Sequence, residues 1–304
     1  MTPFRQHFDE HGYAILPGLL GELDLGPFIA EYEQLLDRVA RAWRAERSVE
    51  DDLGDLAFGE RFTRLTYEYG RPYYQLFDIC LPATISADSP IHLGDATFAM
   101  IVHPRLLAVV EDLIGPEIYV NPMHHVRIKS PEARVHRHLH NGITAASVWH
   151  QDQAAALPEA DETDIITVWC PVTEALEEHG CMRVVPGSHR APMLEHRPGM
   201  WVPESGLPGE PVTLPMHRGD VLFLHRRALH ASLPNVSDQV RMSFDFRYQP
   251  IDQPTGRPSF PGFVAQSRRD PERVSVDATT WRQAWLDTRA RLAGKGPLRF
   301  YRNG

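Results

Sequence analysis

The chain is 304 residues long, 42% hydrophobic and 23% charged, the make-up of a folded globular protein rather than a disordered one. Its formal charge of -9, with no tract rich in lysine or arginine, argues against a nucleic-acid partner, and no apolar run reaches membrane-spanning length. The opening "MTPFRQHFDEHGYAILPGLL" lacks the basic-then-apolar pattern of a secretory leader, and Cys80, Cys170 and Cys181 form no Cys-x-x-Cys, so reduced thiols and a cytoplasmic location are expected.

Taken in chain order, "GPFIAEYEQLLDRVARAWRAE" sets Ile29, Tyr32, Leu35, Leu36, Val39 and Trp43 at helical spacing and predicts an amphipathic helix packed on a larger body. The aromatic but poorly periodic stretch 51 to 100 reads as a lid or binding loop. "HPRLLAVVEDLIGPEI" predicts a second helix, with Pro104 in its first turn, Gly115 as the cap and Pro116 as the stop. From Ile118 the period changes to two. Short strands are predicted at 118–129, 146–153, 164–171, 181–185, 211–214, 219–224 and 240–249, separated by turn-forming clusters. "TTWRQAWLDTRARLAG" returns to helical spacing through Trp281, Trp285 and Leu292. The expected architecture is mainly β with flanking helices: a single domain over 1–304, with N-terminal helices and a lid segment in 1–117, a jelly-roll core in 118–250 and a helical tail in 251–304.

The alternation also says which strand faces are polar. In "RMSFDFRY", Met242, Phe244, Phe246 and Tyr248 oppose Arg241, Ser243, Asp245 and Arg247; in "NPMHHVRIKS", Val126 and Ile128 oppose His125, Arg127 and Lys129. With helices covering the apolar side, the polar side faces either bulk water or a cavity. "SVWHQDQ" adds His150 and Asp152, which share one face if the backbone is extended, as two ligands of one metal must. The other His-x-Asp, His7-Phe8-Asp9, lies in helical sequence, where such a pair diverges.

Downstream, "GDVLFLHRRALHASLPNVSDQVRMSFDFRYQ" offers His225 and His230 as candidate third ligands. Ser232 and Arg241 follow His230 at +2 and +11, and "LPNVSDQ" reads as a turn that lays the Arg241 strand beside the His230 strand. Two imidazoles and one carboxylate leave iron with open positions for a keto acid and dioxygen, and a guanidinium is the natural fork for the keto acid's far carboxylate. "WHQD", "PGSHR", "GDVLFLHRRALHAS" and "RMSFDFRYQ", with the opening "FDEHGYAILPGLL", resemble the phytanoyl-CoA dioxygenase family, to which the ectoine hydroxylases are related. The resemblance implies a double-stranded β-helix (cupin-like) core, with Fe(II) held by His150, Asp152 and His230. It further implies 2-oxoglutarate bound by Arg241 and Ser232, O2 as oxidant, and Lys129 where some members carry a lysine touching the co-substrate. Lys129 is one of only two lysines, the other being Lys295. The carboxylate at Asp152 points to hydroxylation or another oxidation rather than halogenation, with succinate and CO2 released.

Arg127, Asp245 and Trp149 are the candidate substrate contacts, and no catalytic side chain beyond the metal centre is expected. The substrate is expected to be a small molecule; the oligomeric state is not legible. Blander readings stand beside these: His225 as a structural histidine, "HRHLH" at 136 to 140 as a solvated or substrate-facing loop, His189 ordering a turn, Trp149 and Trp169 as core, and Glu159, Asp161, Glu162 and Asp164 as a wet loop. The alternative for the whole chain is a cupin-like metal-binding barrel without oxygen chemistry. An interaction module would bind no stoichiometric metal.

Overall fold

The computed structural model describes residues 2–275 and 277–299. The Thr2 hydroxyl opens α1 (Pro3–His11) by accepting from the Arg5 N–H, and Gly12 closes it in the left-handed region at φ 79°. A short strand, β1 (Tyr13–Leu16), precedes the long α2 (Glu22–Ala45), whose stripe of Tyr32, Leu35, Leu36, Val39 and Trp43 is buried as its spacing predicts. The stretch expected to be a lid contains two helices, α3 (Phe58–Tyr69) and α4 (Asp95–Ile101), joined by an irregular segment. α5 (Pro104–Ile114) ends at Gly115, φ 88°, as predicted.

The strands that follow are β2 (Ile118–Lys129), β3 (Ile166–Pro171), β4 (Met182–Val184), β5 (Val212–Leu214), β6 (Val221–His225), β7 (His230–Ser232), β8 (Arg241–Pro250) and β9 (Phe263–Gln266). α6 (Ala278–Leu292) then buries Trp281, Trp285 and Leu292. Strands β1 and β9 were not foreseen, so neither the N-terminal region nor the tail is purely helical. Residues 300–304 of the expected tail lie outside the described residues.

One sheet has the order β1-β6-β3-β8-β2-β9 and the other β5-β4-β7, with antiparallel pairing throughout; neither is closed on itself. This is the jelly-roll arrangement. The larger sheet turns Val168, Phe223, Phe244 and Phe246 towards Phe28, Phe98 and Trp285 of the helices, forming the main core. Phe28 stands edge-on to Phe244 with ring centres 5.7 Å apart, and each such side chain contributes roughly 1.5–3 kcal/mol by leaving water. The other face of this sheet carries Trp169, Leu222 and Leu224, which pack on Met182, Val184 and Leu214 of the smaller sheet. Further along, on β8 and β2, the same inner face becomes polar: Lys129, Arg241, Ser243, Asp245 and Arg247 are all buried. The polar alternation therefore marks an interior wall and not a solvated one.

Two local expectations are corrected. Residues 146–153 do not form a strand: His150 makes a single bridge to His230, and the chain turns into a short 3-10 helix at Asp152–Ala155. The turn "LPNVSDQ" does not pair the His230 and Arg241 strands either. β7 pairs with β4 in the small sheet and β8 with β2 and β3 in the large one, so the turn carries the chain across the sandwich.

Candidate metal centre

His150 and His230 are set by one reciprocal pair of backbone bonds, His150 N–H to His230 O at 2.9 Å and His230 N–H to His150 O at 3.0 Å. Each ring is then oriented from behind. Nδ1–H of His150 donates to the Val148 carbonyl at 2.7 Å and that of His230 to the Ala228 carbonyl at 2.9 Å, which leaves both Nε2 lone pairs facing one point. Between His150 and Asp152, Gln151 is extended (φ -113°, ψ 132°), and its side chain turns away to the Arg227 carbonyl and the Leu194 N–H. That one extended residue, rather than a full strand, puts His150 and Asp152 on the same side.

Asp152 Oδ1 lies 3.8 Å from His150 Nε2 and 4.0 Å from His230 Nε2. Two atoms each about 2.1 Å from one ion can stand at most about 4.2 Å apart, so the set fits a single divalent metal. Among the described residues it is the only His/Cys/Asp/Glu group with its ligand atoms so close together. The carboxylate is fixed by the Thr167 hydroxyl on Oδ2 and by Arg247 Nη2 on Oδ1 at 2.8 Å. Burial works to raise the Asp152 pKa, but the charge of Arg247 and the two imidazoles outweigh it and hold the group well below the usual carboxylate range. Burial, helped by His230, pushes His150 down to about 3, which keeps it in the neutral form a metal requires.

Behind this cluster is a narrow chamber of about 30 Å³, bordered by Trp169, Leu224, Arg241 and the histidines. Lys129 and Arg241 stand directly opposite each other in the β2–β8 ladder, an arrangement of like charges that destabilises a sheet. Lys129 Nζ donates to Ser147 and Ser232 hydroxyls at 3.2 and 3.3 Å; Arg241 Nη1 donates to Ser243 Oγ at 2.7 Å, and its Nε has no partner. Neither cation has a carboxylate within ion-pair distance among the described residues. Burial first, and the neighbouring Arg241 and Arg127 next, push the Lys129 ammonium far below its ordinary pKa; burial and then Arg127 bring Arg241 down to about 9.

In front of the His–Asp–His cluster a larger cavity of about 370 Å³ opens to the surface. Its apolar wall includes Met123, Ala155, Tyr74 from the segment after α3, and Met200, held at φ 60° in the tip of the 190–210 loop. Arg127 lines it too, yet its Nε is bound to Asp245 Oδ2 at 2.6 Å, and Asp245 Oδ1 accepts from Arg247 Nη1 at 2.7 Å. Asp245 is thus occupied by two guanidiniums. Trp149 is not part of either cavity wall: it packs with Val185, Val202 and Leu229, with Arg183 4.9 Å over its ring.

His136, His138, His140, His189 and His225 serve the fold. His136, His138 and His140 each bond a backbone carbonyl, of Tyr67, Gly70 and Val135, and His225 accepts from the Arg227 N–H. His189 reaches the Asp9 carbonyl and fills the space where a side chain at Gly12 would go. Glu162 and Asp164 are exposed and face Arg226. Arg247 and Thr167, which hold the Asp152 carboxylate, were not singled out from the sequence for that role; the polar alternation of β8 contained the signal for Arg247, but nothing local pointed to Thr167.

Among similar proteins, 1-deoxypentalenic acid 11-beta-hydroxylase of Streptomyces arenae is 27% identical over 266 residues, 82% of this chain and 81% of the relative. The non-heme monooxygenase ThoJ shares the fold with a TM-score of 0.58 at 18% identity, over 95% of this chain and 96% of its own. The epimerase SnoN, solved with Fe3+, alpha ketoglutarate and nogalamycin RO, superposes with a TM-score of 0.54 at 21% identity, over 83% and 86% of the two chains. The family model of phytanoyl-CoA dioxygenase (PhyH) matches residues 8–243, and with most of its length so covered this chain belongs to the phytanoyl-CoA dioxygenase family.

Proposed function

We propose that this protein is an Fe(II)- and 2-oxoglutarate-dependent dioxygenase that hydroxylates a small-molecule substrate, releasing succinate and CO2. The observation that carries the reading is the buried pair Lys129 and Arg241, opposed across a ladder without a counter-ion and placed behind a His–Asp–His cluster. Two such cations are costly unless an anion joins them, and the far carboxylate of a keto acid chelated at the cluster is an anion of suitable reach.

Iron with 2-oxoglutarate and dioxygen supplies the oxidising power when bound. The chain's own residues do the positioning. His150 and His230 present preset Nε2 lone pairs, while Thr167 and Arg247 stop Asp152 from rotating. Arg241 and Lys129 take the carboxylate with Ser232 beside them, and Trp169 and Leu224 keep the inner chamber dry. No described helix is long and apolar enough to cross a membrane. The three free cysteines suit a reducing compartment, and we place the enzyme in the cytoplasm.

The test is an anaerobic titration of metal-free protein with iron(II) and 2-oxoglutarate, following the visible absorption of the chelated keto acid. A band that needs both reagents, disappears in Asp152→Ala and requires much more 2-oxoglutarate in Arg241→Ala is expected. Folded protein that binds iron but gives no band, or an Arg241→Ala variant that loses iron and 2-oxoglutarate equally, overturns the assignment.

A further inference from the structure

Beside the metal ligands, two donors on β2 face the large cavity with nothing to bind. His125 gives its Nδ1–H to Asp78 Oδ2 at 2.8 Å, and Asp78 is itself anchored by the Ile79 and Val126 N–H groups at 2.8 and 3.2 Å. The imidazole is therefore fixed, with Nε2 facing the cavity and without a partner among the described residues; because Nδ1–H goes to Asp78, Nε2 donates to a carboxylate only in the imidazolium, whose charge Asp78 offsets. Arg127 has Nε on Asp245 and Nη1 on the Gly142 carbonyl, so its remaining nitrogen, Nη2, is the one left unengaged. Residues two apart on a strand sit about 7 Å apart on one face. Two hydrogen bonds of about 2.9 Å and the width of a carboxylate span a similar distance.

Charge points the same way. Counted without Lys129 and Arg257, and with a His125 imidazolium offset by Asp78, Arg127, Arg241 and Arg247 exceed Asp152 and Asp245 by one positive charge, while a divalent metal would cancel dianionic 2-oxoglutarate. Both carboxylates on the wall are already engaged, Asp152 by Thr167 and Arg247 and Asp245 by Arg127 and Arg247. A cationic substrate would find no free counter-ion on that wall, whereas an anion would offset the positive excess. The same cavity is also lined by the apolar side chains Met123, Ile143, Ala155 and Met200.

Resting on the oxygenase reading, we propose that the substrate is a small amphipathic carboxylate, its carboxylate taken by Arg127 Nη2 and His125 Nε2 and its apolar body laid against Met123, Ala155 and Met200. Asp78 is a positioning residue that acts through His125, and Asp245 is the counter-ion of Arg127 rather than a substrate contact.

The probes are adamantane carboxylate, adamantane carboxamide and adamantyl amine, with the matching naphthalene trio, titrated calorimetrically into anaerobic protein loaded with iron(II) and 2-oxoglutarate. The carboxylate of at least one trio is expected to bind about tenfold or more tighter than its carboxamide, and the amine weakest, as one charge-assisted bond requires. His125→Gln and Arg127→Gln should each remove that preference. Should Arg127→Gln fail to fold, Arg127→Lys replaces it and should weaken carboxylate binding without abolishing it. Equal binding of carboxylate and carboxamide, preference for the amine, unchanged preference in both variants, or no binding of any probe at millimolar concentration overturns the proposal. The visible band is recorded on the same samples: its absence from the unmodified protein defeats the oxygenase reading, whereas a band without carboxylate preference defeats the substrate assignment alone.

Discussion

Replacing Arg241 by methionine is expected to make the protein more stable in the absence of metal and 2-oxoglutarate, and indifferent to 2-oxoglutarate when it is added. Arg241 is 1% exposed, lies opposite Lys129 and donates one hydrogen bond, to Ser243. Burial first, and Arg127 second, lower its pKa from 12.5 to about 9, so the charged form is disfavoured by the fold at every pH below about 9. At about 1.4 kcal/mol per tenfold that is on the order of 4–5 kcal/mol, reduced to about 3 by relaxation and water. Methionine fills a similar length without charge, and the Ser243 hydroxyl loses a donor at about 1 kcal/mol. A net gain of about 2 kcal/mol remains, a rise in Tm of roughly 4 °C for a chain of this size. Binding moves the other way: losing one member of a buried charged pair costs about 2–5 kcal/mol, roughly 30-fold to several-thousand-fold in Kd for 2-oxoglutarate. Thermal unfolding followed by circular dichroism, metal-free and then nickel-loaded with and without 2-oxoglutarate, reads both effects. A ligand-free variant less stable than the parent, or one that 2-oxoglutarate still stabilises equally, refutes the reasoning.

Thr167→Val removes the hydroxyl that holds Asp152 Oδ2 and should weaken iron(II) binding about 10–100-fold in a chelator competition; unchanged affinity would mean Arg247 fixes the carboxylate alone. Trp285→Ala should cost about 3–5 kcal/mol in denaturant unfolding, because the ring is fully buried between His124 and Phe260, and a loss under about 1 kcal/mol would contradict that packing. Glu117 bonds the Ser267 hydroxyl and the Arg268 and Arg269 N–H groups, and these, the hydroxyl foremost, bring its pKa from 4.5 to about 2. Its contribution is complete above about pH 4.5 and fades as pH falls through about 2, so urea midpoints of the parent and Glu117→Gln should differ most at pH 6, less at pH 3, and converge only near pH 2. A gap that stays constant across this range counts against the assignment.

The helices α2, α5 and α6 were readable because each carries a regular apolar stripe, and α5 also carries its stop at Gly115 and Pro116. α3 was not: its N-cap is Ala57, with no capping side chain, and its buried face mixes Arg61, Thr63 and Thr66 with Phe62 and Leu65. α4 has seven residues, β1 and β9 four each, too few for a period to show. The polar faces of β2 and β8 were legible as alternation, but only the fold reveals that they close on the metal ligands. His150 and Asp152 converge as expected through one extended residue, although the predicted strand around them is absent. The Arg127–Asp245 pair shows the limit of reading positions singly: only the register, which sets the two on neighbouring strands, reveals that Asp245 is bonded to Arg127.

The edge strand β1 is synthesised well before its partner β6; nearby, the Gly18 N–H and the Asp220 carboxylate meet across 202 positions. The two imidazoles of the His–Asp–His cluster are likewise divided between a mid-chain loop and β7, made later. Closure of so many distant pairings predicts slow folding, with apolar surfaces such as that of α2 exposed while the ribosome finishes the sheet. The proposed capture of iron by this cluster would have to follow synthesis of β7, and overexpression without chaperone capacity is expected to yield aggregated protein before it yields folded metal-free protein.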